Sequence, residues 1–406
     1  MQDKSYYGGD TKFIKTDNLR DNIISEDFNH YLSDKGALKL KNVLLQPDDV
    51  IVTIIGANYS VVGRVARIFD DLGKSAINQN ISLIRPKIKS GYLTTFLTGK
   101  YGKQQLYYLS RQTEQVNLNN VEVGDVIVAI PSKEFEEKIH NLHTETHNLQ
   151  IKSKNLYSQA EQLLLTELGL ADYVPDQVNI STRDLFECLQ DDRFDAEYWL
   201  PKYDEIIERI KQYKHGYDTF DSLFTIGNQT SINLEKTYQY VELADVNSTL
   251  GMIENYTELL GKELPSRGRM SLKRGDVIMS SLDGSLNKTA LVTSNGQNII
   301  GSTGFFVLSR RYFEPEVALV LLKSKSIQEY IARQAQGTIL TSIPKTSLSR
   351  VVLPKISKDI QSKVKNFVQE AHTNNEQSKV LLEKAKRAVE VFVEQDEAQA
   401  IAYLAS

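Results

Sequence analysis

The chain repeats itself. Lys12–Arg20 (KFIKTDNLR) aligns with Gln239–Asn247 (QYVELADVN) at an offset of 227 residues, and at the same offset Asp49-Val-Ile lies over Asp276-Val-Ile. Further on, Ser153–Ala160 (SKNLYSQA) lies over Ser378–Ala385 (SKVLLEKA) at an offset of 225. An offset that drifts so little over most of 406 residues implies two copies of one unit, each a globular half followed by a helix.

The helices follow from periodicity. Ile139, Leu142, Thr146, Leu149, Ser153, Leu156, Ala160 and Leu163 advance in steps of three and four, which places them on one stripe. Val364, Phe367, Ala371, Asn374, Ser378, Leu381, Ala385 and Ala388 repeat those steps 225 residues later. Both stripes read as coiled-coil seams, in which the polar positions Ser153, Asn374 and Ser378 give up stability and fix register. The nearest partner for each seam is its own repeat. About 30 residues of helix make a rod of roughly 45 Å.

The halves read as α/β, mostly β with short helices. Val50–Ile55, Ile81–Ile84, Val277–Ser280 and Phe305–Leu308 are β-branched or aromatic runs bounded by Gly, Asn, Asp and Ser, the punctuation of strands and turns. Pro201–Tyr213, with Pro at its first turn and Ile206, Ile207 and Ile210 on one side, predicts an amphipathic helix.

The formal net charge of −4 hides an uneven distribution. Residues 61–111 carry nine Lys/Arg against two Asp/Glu, residues 262–350 carry thirteen against six, and residues 171–261 between them carry seven against eighteen. Two basic stretches at matching places in a repeat point to a polyanionic partner. A single cysteine, Cys188, allows neither an internal disulfide nor a thiolate metal cage, and Met1–Lys15 is polar, so the chain is expected in the cytoplasm.

Catalytic motifs are absent or broken. Gly73-Lys74-Ser75 resembles the end of a phosphate-binding loop, but the glycine required five residues earlier is Ile68. His140, His143 and His147 could face one metal, yet without a fourth ligand beyond Glu145 they read as a solvated cluster on an exposed helix face. Asp48 followed by Glu136-x-Lys138 spells a nuclease motif whose second half falls on the long helix, away from any strand that could present it. No Gly-rich cofactor loop with Asn-Pro-Pro-Tyr and no nucleophile elbow is present. A non-catalytic chain is expected, with no cofactor or metal of its own.

What recurs is a polar and basic set at the ends of the β runs. In the first half it comprises Asn18, Arg20, Asn58, Tyr59, Arg64, Asn78, Gln79, Asn80 and Arg85. In the second it comprises Asn247, Arg267, Arg269, Ser280, Asn287, Lys288, Ser302 and Thr303. Arg paired with guanine and Asn or Gln paired with adenine are the main base-reading contacts, while Lys, Ser and Thr position phosphates, so double-stranded DNA is the expected partner.

These residues carry a resemblance. Asp195-Ala-Glu-Tyr-Trp-Leu-Pro201, Tyr240-Val-Glu-Leu-Ala-Asp-Val-Asn247, Pro265-Ser-Arg-Gly-Arg269 with Arg274-Gly-Asp-Val-Ile278, and Gly301-Ser-Thr-Gly-Phe305 resemble a target recognition domain of type I restriction-modification specificity subunits. Gly8–Thr16, Pro47–Ile51, Asn78–Asn80 and Tyr157–Leu165 resemble the other such domain. The resemblance implies recognition domains at 1–131 and 171–354, each followed by a spacer helix, at 132–170 and 355–402, with the helices antiparallel as a ruler. It further implies docking of two adenine methyltransferase subunits, which would hold the S-adenosylmethionine, and a motor-nuclease subunit that could join them. A related methylation or phage-defence system without a nuclease is the alternative. Twelve residues precede Phe13 whereas 69 separate position 170 from Tyr240, so the first half is expected to lack a leading segment.

Overall fold

The computed structural model describes residues 3–25, 27–56, 61–111, 116–174, 178, 180–337 and 341–406. The chain forms two compact units, Met1–Gln150 with Glu376–Ser406, and Ile151–Asn375. The expected boundaries at 131/132 and 354/355 are therefore not where compactness divides the chain. Each unit takes one end of both long helices, because a seam is buried only against a second helix.

In the N-terminal unit the strand Tyr7–Ile14 runs parallel to Ser75–Ile77 and antiparallel to Tyr31–Leu32. A second sheet places Val50–Thr53 between Val65–Arg67 and Ile81–Ile84. All four residues of Val50–Thr53 are buried, which explains a continuous apolar run in place of an alternating one. Val50 and Val52 join a cluster with the helices Ser90–Thr98 and Lys133–Glu167, while Ile51 faces a separate cluster with Ile14, Leu19 and Ile77.

The C-terminal unit uses the same devices. Thr237–Val241 runs parallel to Ile299–Ser302, and Val277–Ser280 lies between Thr289–Leu291 and Phe305–Arg310. Val277 and Met279 face the helical cluster and Ile278 the opposite one. After Ile14 comes a 3-10 turn at Thr16–Asn18, and after Val241 one at Leu243–Asp245. The Asn18 side chain accepts the Lys15 N–H at 3.0 Å, and the Asp245 carboxylate accepts the Glu242 N–H at 2.8 Å. Helix pairs follow each sheet, Ser90–Thr98 with Lys100–Leu109 and Pro315–Lys323 with Lys325–Ala332. The amphipathic helix predicted at 201–213 spans Pro201–Lys211 and buries Tyr203, Ile206 and Ile210.

The long helices span Lys133–Glu167 and Lys358–Glu394. The second stops short of 402 because Asp396 starts a new helix, Glu397–Ala405, by accepting the Gln399 N–H at 2.8 Å. In the N-terminal unit the Phe135 and Phe392 rings lie 5.6 Å apart, and Ile139 shares a cluster with Ala385 and Ala388. In the C-terminal unit the Ser153 hydroxyl donates to the Ala371 carbonyl at 2.6 Å, and Leu156, Ala160 and Val364 share a cluster. Contacts thus run in opposite senses along the two helices. Fully buried alanines at 160, 371, 385 and 388 let the backbones approach closely. Leu142, Leu149 and Leu381 are half-buried on the stripe. At two positions the burial shifts by one residue, since Leu163 and Phe367 are half-buried while Leu164 and Val368 are fully buried.

Candidate nucleic-acid interface

The strand directions decide which polar residues meet. In the N-terminal unit the parallel strands Tyr7–Ile14 and Ser75–Ile77 end together, and the Asn78 N–H donates to the Ile14 carbonyl at 3.0 Å. The strand Val50–Thr53 ends at the same place, where Ile54 N–H donates to the Asn80 carbonyl and Thr53 N–H to the Arg64 carbonyl, both at 2.9 Å. Asn78, Gln79 and Asn80 form a turn closed by the Asn78 side chain accepting the Asn80 N–H at 3.1 Å. Arg64 reaches the Leu19 carbonyl at 3.1 Å, which brings it to the hairpin that carries Arg20. Burial, with the Arg20 charge next in effect, lowers the Arg64 guanidinium below its ordinary pKa, so the two cations form a patch that gains from an anion.

Arg20 and Gln79 are exposed at this edge, and Arg64, Asn78 and Asn80 are half-buried. Two expected residues do not belong to it. Asn18 is buried, and its amide is used up on Lys15 and on the Asp27 carbonyl at 3.0 Å, so it locks the turn. Arg85 lies at the opposite end of its sheet, where it pairs with Asp49 at 3.3 Å and donates to the Leu44 carbonyl. Asn58 and Tyr59 lie outside the described residues.

In the C-terminal unit the parallel ends of Thr237–Val241 and Ile299–Ser302 meet the start of Gly268–Leu272. Thr303 N–H donates to the Arg267 carbonyl at 2.7 Å, and the Arg267 guanidinium pairs with Glu242 at 2.6 Å. The adjoining loop is tied in by Ser281 N–H to the Gly304 carbonyl and by Lys288 Nζ to the Val246 carbonyl, both at 2.8 Å. Arg267 and Asn287 are exposed here, and Arg269, Lys288 and Thr303 are half-buried.

Three serine and asparagine expectations are corrected by burial or internal bonding. Ser280 is fully buried and bonds Ser285 Oγ at 2.8 Å, and Ser302 is buried and accepts the Gly304 N–H at 3.2 Å. Asn247 accepts the Thr249 and Leu250 N–H groups and donates to Glu254 at 2.7 Å. All three shape the loops behind the edge.

The reading from sequence missed Lys103 and Asp21. Lys103 Nζ donates to Asp21 and to the Gly63 carbonyl, both at 2.7 Å, and Asp21 accepts the Val65 N–H at 3.1 Å. This pair fixes the loop that ends in Arg64. A separation of 82 residues leaves no local signal for it.

The histidines are not on a solvated face. Phe69 stacks on His147 at 3.6 Å between centroids, Arg67 lies 4.5 Å over Phe69, and His143 is buried. Among the described residues no three metal-ligating side chains are placed to hold an ion. Asp48 and Glu136 bracket the start of the helix Ser90–Thr98, Asp48 accepting the Ser90 hydroxyl and Glu136 the Lys89 N–H, while Lys138 pairs with Glu134. Asp48 and Glu136 are thus taken up in anchoring the residues at the start of that helix. No helix among the described residues is long and apolar enough to cross a membrane.

No family model and no curated protein matches the sequence. Among solved structures the chain is similar to the HsdS subunit from Thermoanaerobacter tengcongensis, with 23% identity and a TM-score of 0.33 over 44% of this chain and 46% of that one, less than half its length. It is similar to a type I restriction-modification system S subunit from M. genitalium, with 12% identity and a TM-score of 0.44 over 96% and 90% of the two chains. A third, from a structure on complex assembly and conformational transition of the type I R-M system, gives 12% identity and a TM-score of 0.29 over 97% and 90%. The first two of these three structures are of S subunits, and the third is from the type I R-M system.

Proposed function

We propose that the chain is a non-catalytic DNA sequence-specificity subunit of a type I restriction-modification complex. Each unit would read one part of a split target through its strand-end edge. The long helices would set the spacing between the parts and dock two adenine methyltransferase subunits, which carry S-adenosylmethionine. A motor-nuclease subunit could join this assembly. The observation that carries the reading is the convergence, in each unit, of arginines and amide side chains at the joint ends of parallel strands, Arg20, Arg64 and Asn78–Asn80 in one and Arg267, Arg269 and Asn287 in the other.

The test is co-expression with a methyltransferase encoded beside it, in a host free of DNA methylation, read by long-read sequencing. A split motif bearing N6-methyladenine on both strands is the expected result. A stable complex that leaves the host DNA unmethylated would overturn the reading.

Two variants sharpen it. Arg267→Ala removes an exposed guanidinium that also holds Glu242, and is expected to weaken duplex binding by about 1 kcal/mol, close to fivefold. Titration of a fluorescent duplex checks this, and unchanged affinity would reduce Arg267 to a turn residue. Insertion of four residues, about one helical turn, after Gln150 should change the gap in the methylated motif and leave both half-sites as they were. An altered half-site with the old gap would remove the ruler role.

A further inference from the structure

The C-terminal unit carries a cleft that the reading of bases does not use. It lies between the helix Pro201–Lys211, the end of the helix Lys325–Ala332 and the short helix Lys345–Arg350, and encloses about 550 Å³. Arg183, Arg193, Lys211, Arg333 and Arg350 line it. The three carboxylates that also reach it are engaged. Asp204 pairs with Arg183, Asp191 accepts the Tyr198 hydroxyl at 3.0 Å, and Glu208 pairs with Lys211 at 3.7 Å. Arg193 is held by Asp195 at 2.6 Å, outside the cleft.

Arg350 and Arg333 are without a carboxylate partner among the described residues, and of the two Arg333 is the buried one. It is only 8% exposed, and its Nε has no hydrogen-bond partner among the described residues. Its guanidinium lies 4.0 Å from the Tyr198 ring centroid and 5.5 Å from that of Trp199. A guanidinium taken out of water without an acid partner is costly. Stacking on aromatic faces recovers part of that cost and leaves the in-plane N–H fork free. An oxyanion with two oxygens on one centre matches such a fork in shape and charge.

We propose that this cleft binds a phosphate group, with Arg333 as the buried fork and the exposed Arg350 at its mouth. The proposal stands whether or not the chain reads DNA bases. Its source could be the backbone of a duplex or a free phosphate ester. The helix Lys345–Arg350 starts beside the C-terminal edge, where Lys345 Nζ bonds Asn228 at 2.8 Å and Ile343 N–H donates to the Ser281 carbonyl at 2.8 Å. Six helical residues span about 9 Å, which favours a backbone phosphate of a duplex lying on that edge.

The test is thermal melting of the full chain in inorganic phosphate against chloride at equal ionic strength. At ten times the dissociation constant the phosphate midpoint should exceed the chloride one by about 3 °C. Arg333→Gln should abolish this difference. Arg350→Gln alters an exposed side chain and so keeps the fold, and it should reduce the difference by more than half. Equal midpoints in the two salts, or a phosphate effect unchanged in both variants, would overturn the proposal. Duplex binding by Arg350→Gln then separates the sources. Weaker binding with a salt slope lower by about one assigns the DNA backbone, and unchanged duplex binding beside a reduced phosphate response assigns a free phosphate ester.

Discussion

Replacing Phe135 by alanine is expected to destabilise the N-terminal unit by about 3–5 kcal/mol. Phe135 is fully buried at the start of the first long helix, against Phe392 and in the cluster that holds Val50, Tyr92 and Ala388. A ring removed there leaves a cavity whose walls belong to a helix, a sheet and the far end of the chain, so collapse around it is limited. The effect should be confined. Hydrogen exchange should show amides of Val50–Thr53 losing protection while those of Val277–Ser280 keep theirs, since only the first strand belongs to that unit. Loss of protection in both strands would mean that the two units unfold as one.

Acid should weaken the same unit through His143. Burial, followed by the nearby charges of Arg67, His147, His140 and Lys386, pushes its pKa down to about 3. The imidazole is therefore neutral in the fold, with Nε2 at 3.2 Å from the Asn22 side-chain oxygen. In the unfolded chain a histidine binds its proton near pH 6.5. The unfolded state thus takes up the proton first, and the stability present above pH 6.5 is lost progressively as pH falls toward 3. By pH 5 the loss is about 2 kcal/mol. Asn22 turns the hairpin that bears Arg20, with φ of 60°, so this strand-end edge should loosen along with the core. Denaturant titrations from pH 7 to pH 5 measure the slope, which should flatten in His143→Gln. A slope equal in the wild type and the variant would assign the acid sensitivity to other groups.

The exposed residues of the proposed interface behave differently from these buried groups. Arg20, Arg267 and Asn287 are exposed, and substitution there is expected to change binding with little effect on stability. This separation is useful, because it lets loss of binding be distinguished from loss of fold. Lys103 and Asp21 lie between the two cases. Burial lowers the Lys103 pKa and the Asp21 charge opposes that shift, and the half-buried pair keeps a loop in place beside the edge.

Much of the architecture was legible along the chain because it rests on near neighbours. The repeated steps of three and four define the two helical stripes, and all their members are at least half-buried. The β-branched runs at 50–53 and 277–280 are strands, and Pro201 starts its helix. Periodicity reports which side of an element is apolar. It does not report what covers that side, and the slip from Leu163 to Leu164 and from Phe367 to Val368 accompanies burial of Leu164 and Val368 in the core cluster of the C-terminal unit.

The site was legible in outline and not in detail. Polar residues at strand ends are common to turns and to binding edges, and the sequence alone determined only that such residues recur in both halves. Tertiary structure decided which of them face out. Ser280, Ser302 and Asn18 are turned inward because buried backbone groups beside them need partners. Arg85 is removed from the edge because its strand runs away from it, and His143 is buried because Phe69 and Asn22 close over it from 74 and 121 residues away in the chain. Such contacts depend on strand direction and on the packing of distant segments, quantities that no local pattern of residues encodes.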